Sequence, residues 1–264
     1  MDVEPSHLLG QGLGDDKYLD VWRQQIKAIN AQSKVIDGKR LTPRMYGDKG
    51  WYNFTPSPYS SGGFETWYHS MKDSDRRSLA GSWLNFLAGK NNGYAASMLR
   101  GDLERVRQRV TAFRADSTTP DTRLADDPMK YNPASVHSLI ELMLGGLHPG
   151  HRGQVLHCRV RYFDPLTRRA GISADVAALV ERLGDDSVTL TLVNTNQLSP
   201  RTVIVQAGGY AEHQFRSVRA GDQQRDLDTD QLTVRLAPGA GERIELGMRR
   251  YVNQPTMQLP WDRN

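Results

Sequence analysis

Residues 139–163 read LIELMLGGLHPGHRGQVLHCRVRYF, and the hydrophobic period changes within them. Before this stretch apolar residues recur at helical spacing, and after it they mostly alternate. That change places a boundary at 148–153. Upstream, 16–35 predicts a helix with Leu19, Trp22, Ile26, Ile29 and Ile36 on one stripe and Lys17, Asp20, Arg23, Lys27 and Lys34 away from it. A second helical region covers 64–71 and 74–88, with Leu79, Trp83, Phe86 and Leu87 inward and Gly89 as a C-terminal stop. The helix at 94–115 turns Leu99, Leu103, Val106, Val110 and Phe113 inward, leaving Arg100, Arg105, Arg107, Arg109 and Arg114 as a short cationic face. A further helix takes Asn132 as N-cap and Pro133 at its first position, and ends at Gly145-Gly146.

Downstream, 154–163, 187–194, 201–207, 210–218, 232–237 and 243–251 read as strands separated by Asp164-Pro165, Ser199-Pro200, Gly208-Gly209 and 238–241. One amphipathic helix at 174–183, capped by Ser173 and ended by Gly184, interrupts them, and polar 220–230 reads as a mobile loop. The fold class expected is α+β. Residues 1–150 form a helical region with a long aromatic loop at 37–64, and 151–264 form an antiparallel β-sandwich with the inserted helix at 174–183.

The 264 residues carry 34 Lys+Arg against 30 Asp+Glu, a formal charge of +4. Only 8 of the cations are Lys, so a phosphate-binding face would have to be built from Arg. The excess is small and the signs are mixed, which disfavours nucleic acid as a partner. A single cysteine, Cys158, excludes an internal disulfide and multi-cysteine metal sites. No run reaches the roughly eighteen apolar residues of a membrane span. Residues 1–7 lack the basic and apolar regions of a secretory signal. Either the protein stays inside the cell, or the start of a longer, periplasmic or secreted protein is missing.

Connections between helices usually run roughly two to eight residues, so 37–64 is long enough to suggest a site. In and just after it stand Tyr46, Asp48, Trp51, Tyr52, Phe54, Tyr59, Phe64, Trp67, Tyr68 and His69, far above the chain's 8% aromatic average. Such rings either fill the core between helices or stack on sugar faces, with neighbouring carboxylates and histidine binding hydroxyls or moving protons. Asp48 and Glu65 are the candidate general acid and base, with His69 or Tyr68 as the alternative base. Glu65 and His69, four apart, share a helical face, where an exposed ion pair is the plainer account. His137 and Glu141 repeat that spacing, either in a solvent-facing stripe or paired in the interior.

Asp116, Asp121, Asp126 and Asp127 contain ligand types for calcium, but capping accounts for them better than the spaced EF-hand pattern, which they do not match. His148, His151 and His157 beside Cys158 are zinc ligand types without a zinc spacing. Gly10-Gln11-Gly12-Leu13-Gly14 lacks the context of a phosphate loop and reads as a flexible lead-in. Cys158 shares a strand face with Leu156, Val160 and Tyr162 and reads as structural. No metal and no cofactor is expected.

A helical region with long aromatic loops followed by a β-sandwich resembles the C-terminal part of bacterial α/α-toroid carbohydrate-active proteins, the glycoside hydrolases and polysaccharide lyases. The resemblance is carried by Gly50-Trp51-Tyr52, Phe64-Glu65-Thr66-Trp67-Tyr68-His69, and the β segments 188–194 and 232–239. It implies a partial toroid, a glycan ligand, stacking by Trp51, Tyr52, Trp67 and Tyr68, and acid/base chemistry by Asp48, Glu65 and His69. A complete toroid needs about a dozen helices, so the chain is expected to be the C-terminal section of a longer protein. Two rival expectations stand beside this one: a non-enzymatic scaffold for another chain, and nucleic-acid binding through the arginine face.

Overall fold

The computed structural model describes residues 16–119, 121–122, 132–134, 136–149 and 155–263. The fold is mixed α+β, and the β part consists of antiparallel sheets. The first element of the described residues is α1 (Lys17–Ala31), which ends before the expected 35 and turns directly into β1 (Lys34–Ile36). Next come β2 (Lys39–Gly47) and β3 (Gly50–Thr55), so the expected loop at 37–64 is in large part a three-stranded antiparallel sheet of order β1-β2-β3. Local chemistry explains this correction. Asp37 and Gly38 both take positive φ, 48° and 71°, and Ile36 pairs with Lys39 across them. Two central residues with positive φ make the hairpin turn that Asp-Gly favours, and the β-branched and aromatic residues flanking it suit strands.

Four helices follow: α2 (Gly63–Ser70), α3 (Asp73–Arg76), α4 (Ser82–Leu87) and α5 (Tyr94–Ala115). The helix expected over 74–88 is thus two short pieces separated at 77–81. The register of α5 also departs from expectation. Its buried residues are Tyr94 and Asp102, the latter paired with Arg105 at 2.9 Å, whereas Leu99, Leu103 and Phe113 stay exposed. Among the residues described beyond 131, α6 (His137–Leu144) starts four residues after Pro133, and the Asn132 side chain accepts the Ala134 N–H at 2.9 Å.

The remaining strands are β4 (Val160–Asp164), β5 (Arg169–Ala170), β6 (Val176–Leu183), β7 (Ser187–Asn194), β8 (Arg201–Ala207), β9 (Gln214–Ala220), β10 (Gln223–Thr229), β11 (Gln231–Leu236) and β12 (Gly241–Arg249). They form a five-stranded sheet, β10-β9-β12-β7-β6, and a four-stranded sheet, β11-β8-β4-β5. Both sheets contribute to one core, with Tyr162, Val203 and Val205 from one and Val180, Leu190, Leu192, Phe215 and Leu246 from the other.

Two expectations in this half are corrected. Residues 174–183 hold the strand β6, paired with β7, not an inserted helix. Val180 belongs to the core to which both sheets contribute, while Leu179 and Leu183 pack against the aromatic cluster of the helices, so β6 is covered on both faces and loses the alternation that marks a strand. Its apolar positions 176, 179, 180 and 183 then fall by coincidence at helical spacing. Likewise 220–230 is not a loop: it contains β10, an edge strand whose polar residues face water and guard an unpaired edge. Residues 150–153 of the expected boundary lie outside the described residues.

The helices dock on the sheets through the end of α6. The last carbonyls of a helix have no partner within it and must find one elsewhere when buried. Here Met143 O accepts the Tyr162 hydroxyl (2.7 Å), Leu144 O accepts the Arg159 N–H (3.0 Å), and Gly145 O accepts the Tyr68 hydroxyl (2.7 Å). Close approach needs small residues at this point. A Cβ on Gly146 would lie 2.5 Å from the His157 carbonyl oxygen and 2.8 Å from Cys158 Cβ. Gly146→Ala is therefore expected to lower the unfolding free energy by roughly 1–3 kcal/mol through overpacking against backbone. Urea denaturation checks this, and an unchanged midpoint would show that the joint can relax.

Candidate functional site

The structure divides the candidate residues between two places. On the projecting hairpin, Tyr46 pairs with Trp51 across the strands, their rings edge to face with centroids 5.0 Å apart. Met45 pairs with Tyr52 on the opposite face. Tyr46 is 69% exposed and Tyr52 50%, and Trp51 is half-buried. Asp48 stands exposed in the two-residue turn between β2 and β3, and Arg44 donates to Thr55 Oγ1 (2.8 Å) at the base of the hairpin. These rings stand on both faces of the hairpin ribbon, with Tyr46 and Tyr52 open to solvent.

Trp67 and Tyr68 lie elsewhere. Trp67 is 4% exposed, held edge to face by Phe64, Tyr68 and Trp83 at 6.5, 6.4 and 6.2 Å. Tyr68 is 1% exposed. Neither can stack on a ligand from solvent, so their assignment as substrate-binding residues is corrected to core and joint. In a helix of about 3.6 residues per turn, residues three or four apart share a face, and α2 turns the side with Trp67 and Tyr68 inward. Glu65, half-buried in the first turn of α2, forms no hydrogen bond or ion pair with Asp48 among the described residues.

His69 enters a second cluster, at the seam between the helices and the sheets. Its ring stacks on Tyr251 at 5.2 Å and meets His157 edge to face at 5.0 Å. Tyr251 in turn lies edge to face on His213 at 4.6 Å. Arg250 donates to the carbonyls of His69 (2.6 Å) and Tyr68 (3.4 Å) and pairs with Asp185, tying the chain after β12 to α2. Arg159 lies 5.1 Å above the Tyr68 ring and is fully buried. Glu212, also buried, accepts the backbone N–H groups of Gly209 (3.2 Å) and Tyr210 (2.7 Å). Ala211 and Tyr251 hold positive φ of 59° and 54°, strained for residues with a Cβ.

Burial sets the protonation of this cluster. It raises the Tyr68 hydroxyl well above its usual range, partly opposed by Arg159, pushes Tyr251 up to about 12, and pushes the Cys158 thiol up, leaving it protonated and inert. Burial also lowers Arg159 and raises Glu212. Sequence reasoning missed Arg159, Glu212, His213, Arg250 and Tyr251 because they come together only when sequence-distant loops converge. The one local hint was Glu-His after Gly-Gly at 208–213.

Among the other candidates, Glu141 accepts from the Tyr94 hydroxyl at 2.5 Å, and burial raises its carboxyl. His137 stacks on His148, ring centroids 3.3 Å apart. Asp116 accepts the N–H (3.1 Å) and hydroxyl (2.8 Å) of Thr118, a capping role. Residues 10–14, Asp126, Asp127 and His151 lie outside the described residues. Among those described, no group of three or more His, Cys, Asp or Glu is placed to hold a metal, and no helix is long and apolar enough to cross a membrane.

No family model matches the chain, and no curated protein matches it. A solved structure from Bacteroides fragilis NCTC 9343, described as a candidate alpha-galactosidase, is similar at 24% identity over 30% of this chain and 18% of that one. The TM-score is 0.25, a likeness that carries no argument about fold or activity.

Two outcomes follow from the placement of these groups. Trp67→Ala should cost about 3–5 kcal/mol of unfolding free energy and Trp51→Ala about 1 kcal/mol or less, read by urea denaturation, because only the first empties a packed core. The second concerns pH. Burial, then Arg159 and Arg250, hold His213 well below the usual imidazole value of 6.5. The unfolded chain therefore binds a proton there that the fold does not, and stability falls as pH drops below about 6.5. Glu212, raised above 4.5, acts with the opposite sign, costing stability as pH rises through its own range. Between about pH 7 and about pH 5.5 the urea midpoint of the wild type should fall more than that of His213→Asn. Equal falls would place the acid loss elsewhere.

Proposed function

We propose that this chain is a carbohydrate-active protein whose contact with glycan is made by the β2–β3 hairpin. The observation that supports this is the pairing of exposed Tyr46 with half-buried Trp51, with exposed Tyr52 on the other face of the same ribbon. Aromatic rings fixed on a strand pair present flat apolar faces at low entropic cost, and sugar C–H faces are the ligand surface that suits them. Asp48 at the tip supplies an acceptor for sugar hydroxyls. In this reading the helices are part of an α/α-toroid-like half, the two sheets form a supporting sandwich, and any bond cleavage depends on Asp48, Glu65 or His69.

A second reading, a scaffold for another chain, draws on the exposed Leu99, Leu103 and Phe113 of α5. It predicts self-association or partner binding that is indifferent to changes on the hairpin.

Affinity electrophoresis against a panel of soluble polysaccharides separates the two. Retardation by at least one glycan is expected, weakened about tenfold by Trp51→Ala or Tyr46→Ala, since tenfold corresponds to about 1.4 kcal/mol. A folded Tyr46→Ala/Trp51→Ala/Tyr52→Ala variant that binds as the wild type does would overturn the glycan reading.

A further inference from the structure

At the seam, two buried side chains carry hydrogen-bond donors that find no acceptor among the described residues. Arg159 is 0% exposed, and among the described residues none of its three guanidinium nitrogens has a hydrogen-bond partner. His213 is 1% exposed, and its Nδ1 accepts the Tyr251 N–H at 3.0 Å, so a neutral ring carries its proton on Nε2. That Nε2 also lacks a hydrogen-bond partner. The nearest carboxylate oxygen, Glu212 Oε1, is 3.9 Å away, and both Glu212 oxygens already accept backbone N–H groups. The other arginine of the cluster, Arg250, has its own counter-charge in Asp185. His213 meets the Tyr251 ring, Tyr251 stacks on His69, and Arg159 lies over Tyr68, the residue before His69, so the two unpartnered groups belong to one cluster.

A guanidinium buried without an acceptor is costly, and the Tyr68 ring face offsets only part of that cost. What such a group accepts best is a planar or tetrahedral oxygen pair, taken in bidentate fashion.

We propose that Arg159 and His213 form a binding site for a small oxyanion at the seam between the helices and the sheets, the guanidinium gripping two oxygens and the His213 Nε2–H a third contact. His69 and Tyr251 are the partly exposed members of the cluster, and entry runs past them. The strained backbone at Ala211 and Tyr251 brackets the same place. This proposal is independent of the glycan reading, which concerns the hairpin.

The test is thermal melting and isothermal titration of the full chain with inorganic phosphate, sulfate or acetate, at fixed ionic strength against chloride. A saturable rise in Tm of a few degrees at millimolar anion is expected, with matching binding heat, because a ligand that binds only the folded state stabilises it by mass action. A response to phosphate or sulfate identifies a tetrahedral ligand, and a response to acetate alone a carboxylate. Arg159→Gln should abolish the rise. His213→Asn keeps an oxygen to accept the Tyr251 N–H but loses the Nε2–H, whose position its shorter amide does not reach, and should weaken binding about tenfold; it carries the test if Arg159→Gln fails to fold. No rise above chloride with any of the three anions, or a rise unchanged in both variants, would overturn the site and leave water as the acceptor.

Discussion

The structure depends on how the end of α6 is closed. Its last carbonyls point out of the helix with no intrahelical donor, at a place where the chain is already inside the protein. Tyr162 from β4, the Arg159 N–H just before β4 and Tyr68 from α2 supply the donors. One helix terminus therefore couples an early helix to the first strand of the β half, across more than seventy residues of chain. The Gly145-Gly146 pair lets the backbones approach. A Cβ on Gly145 would lie 2.8 Å from Val180 Cγ1, so β6 sits against this terminus as well.

That joint explains why the aromatic residues divide. Those on α2 face the joint and are consumed in it: Trp67 packs on Trp83, and Tyr68 gives its hydroxyl to Gly145. Those on β2 and β3 lie on a ribbon anchored near the end of α1, where Ser33 and Thr42 hydroxyls meet at 2.9 Å. Beyond that anchor nothing in the described chain covers Met45, Tyr46 or Tyr52, which stay open to solvent. The two groups are neighbours in sequence and have different fates, one packed inside and the other left at the surface.

The seam shows a different balance from either core. Tyrosines, histidines, arginines and a glutamate are buried together there, and most of their hydrogen bonds go to backbone atoms that tie distant segments. Glu212 gathers the turn after β8, while its own carbonyl accepts the N–H groups of Val252 (3.0 Å) and Asn253 (3.2 Å) from the chain after β12. Buried polar groups of this sort hold a unique arrangement only when each finds a partner. Arg159 and His213 are where that condition points to something beyond the chain's own side chains.

Much of the fold was legible in the sequence. The mixed α+β class, α5 over its full length, and the strands at 187–194 and 201–207 follow from hydrophobic period and turn residues. The Asp37-Gly38 turn was equally legible in principle, because two positive-φ residues between strand-forming runs are a local signal; reading the segment by its length alone hid it. Period could not reveal β6 or the orientation of α5. A strand covered on both faces has no alternation, and which stripe of a helix is buried is decided by what packs on it. Residue type alone singles out His69 and the Tyr46–Trp51 ring pair as candidates, since a side chain's chemistry is intrinsic, but it does not say where they lie. Only the tertiary structure sent Trp67 and Tyr68 inside and brought Arg159, Glu212, His213 and Tyr251 to His69, because burial and proximity between distant segments arise from chain closure, which no local pattern encodes.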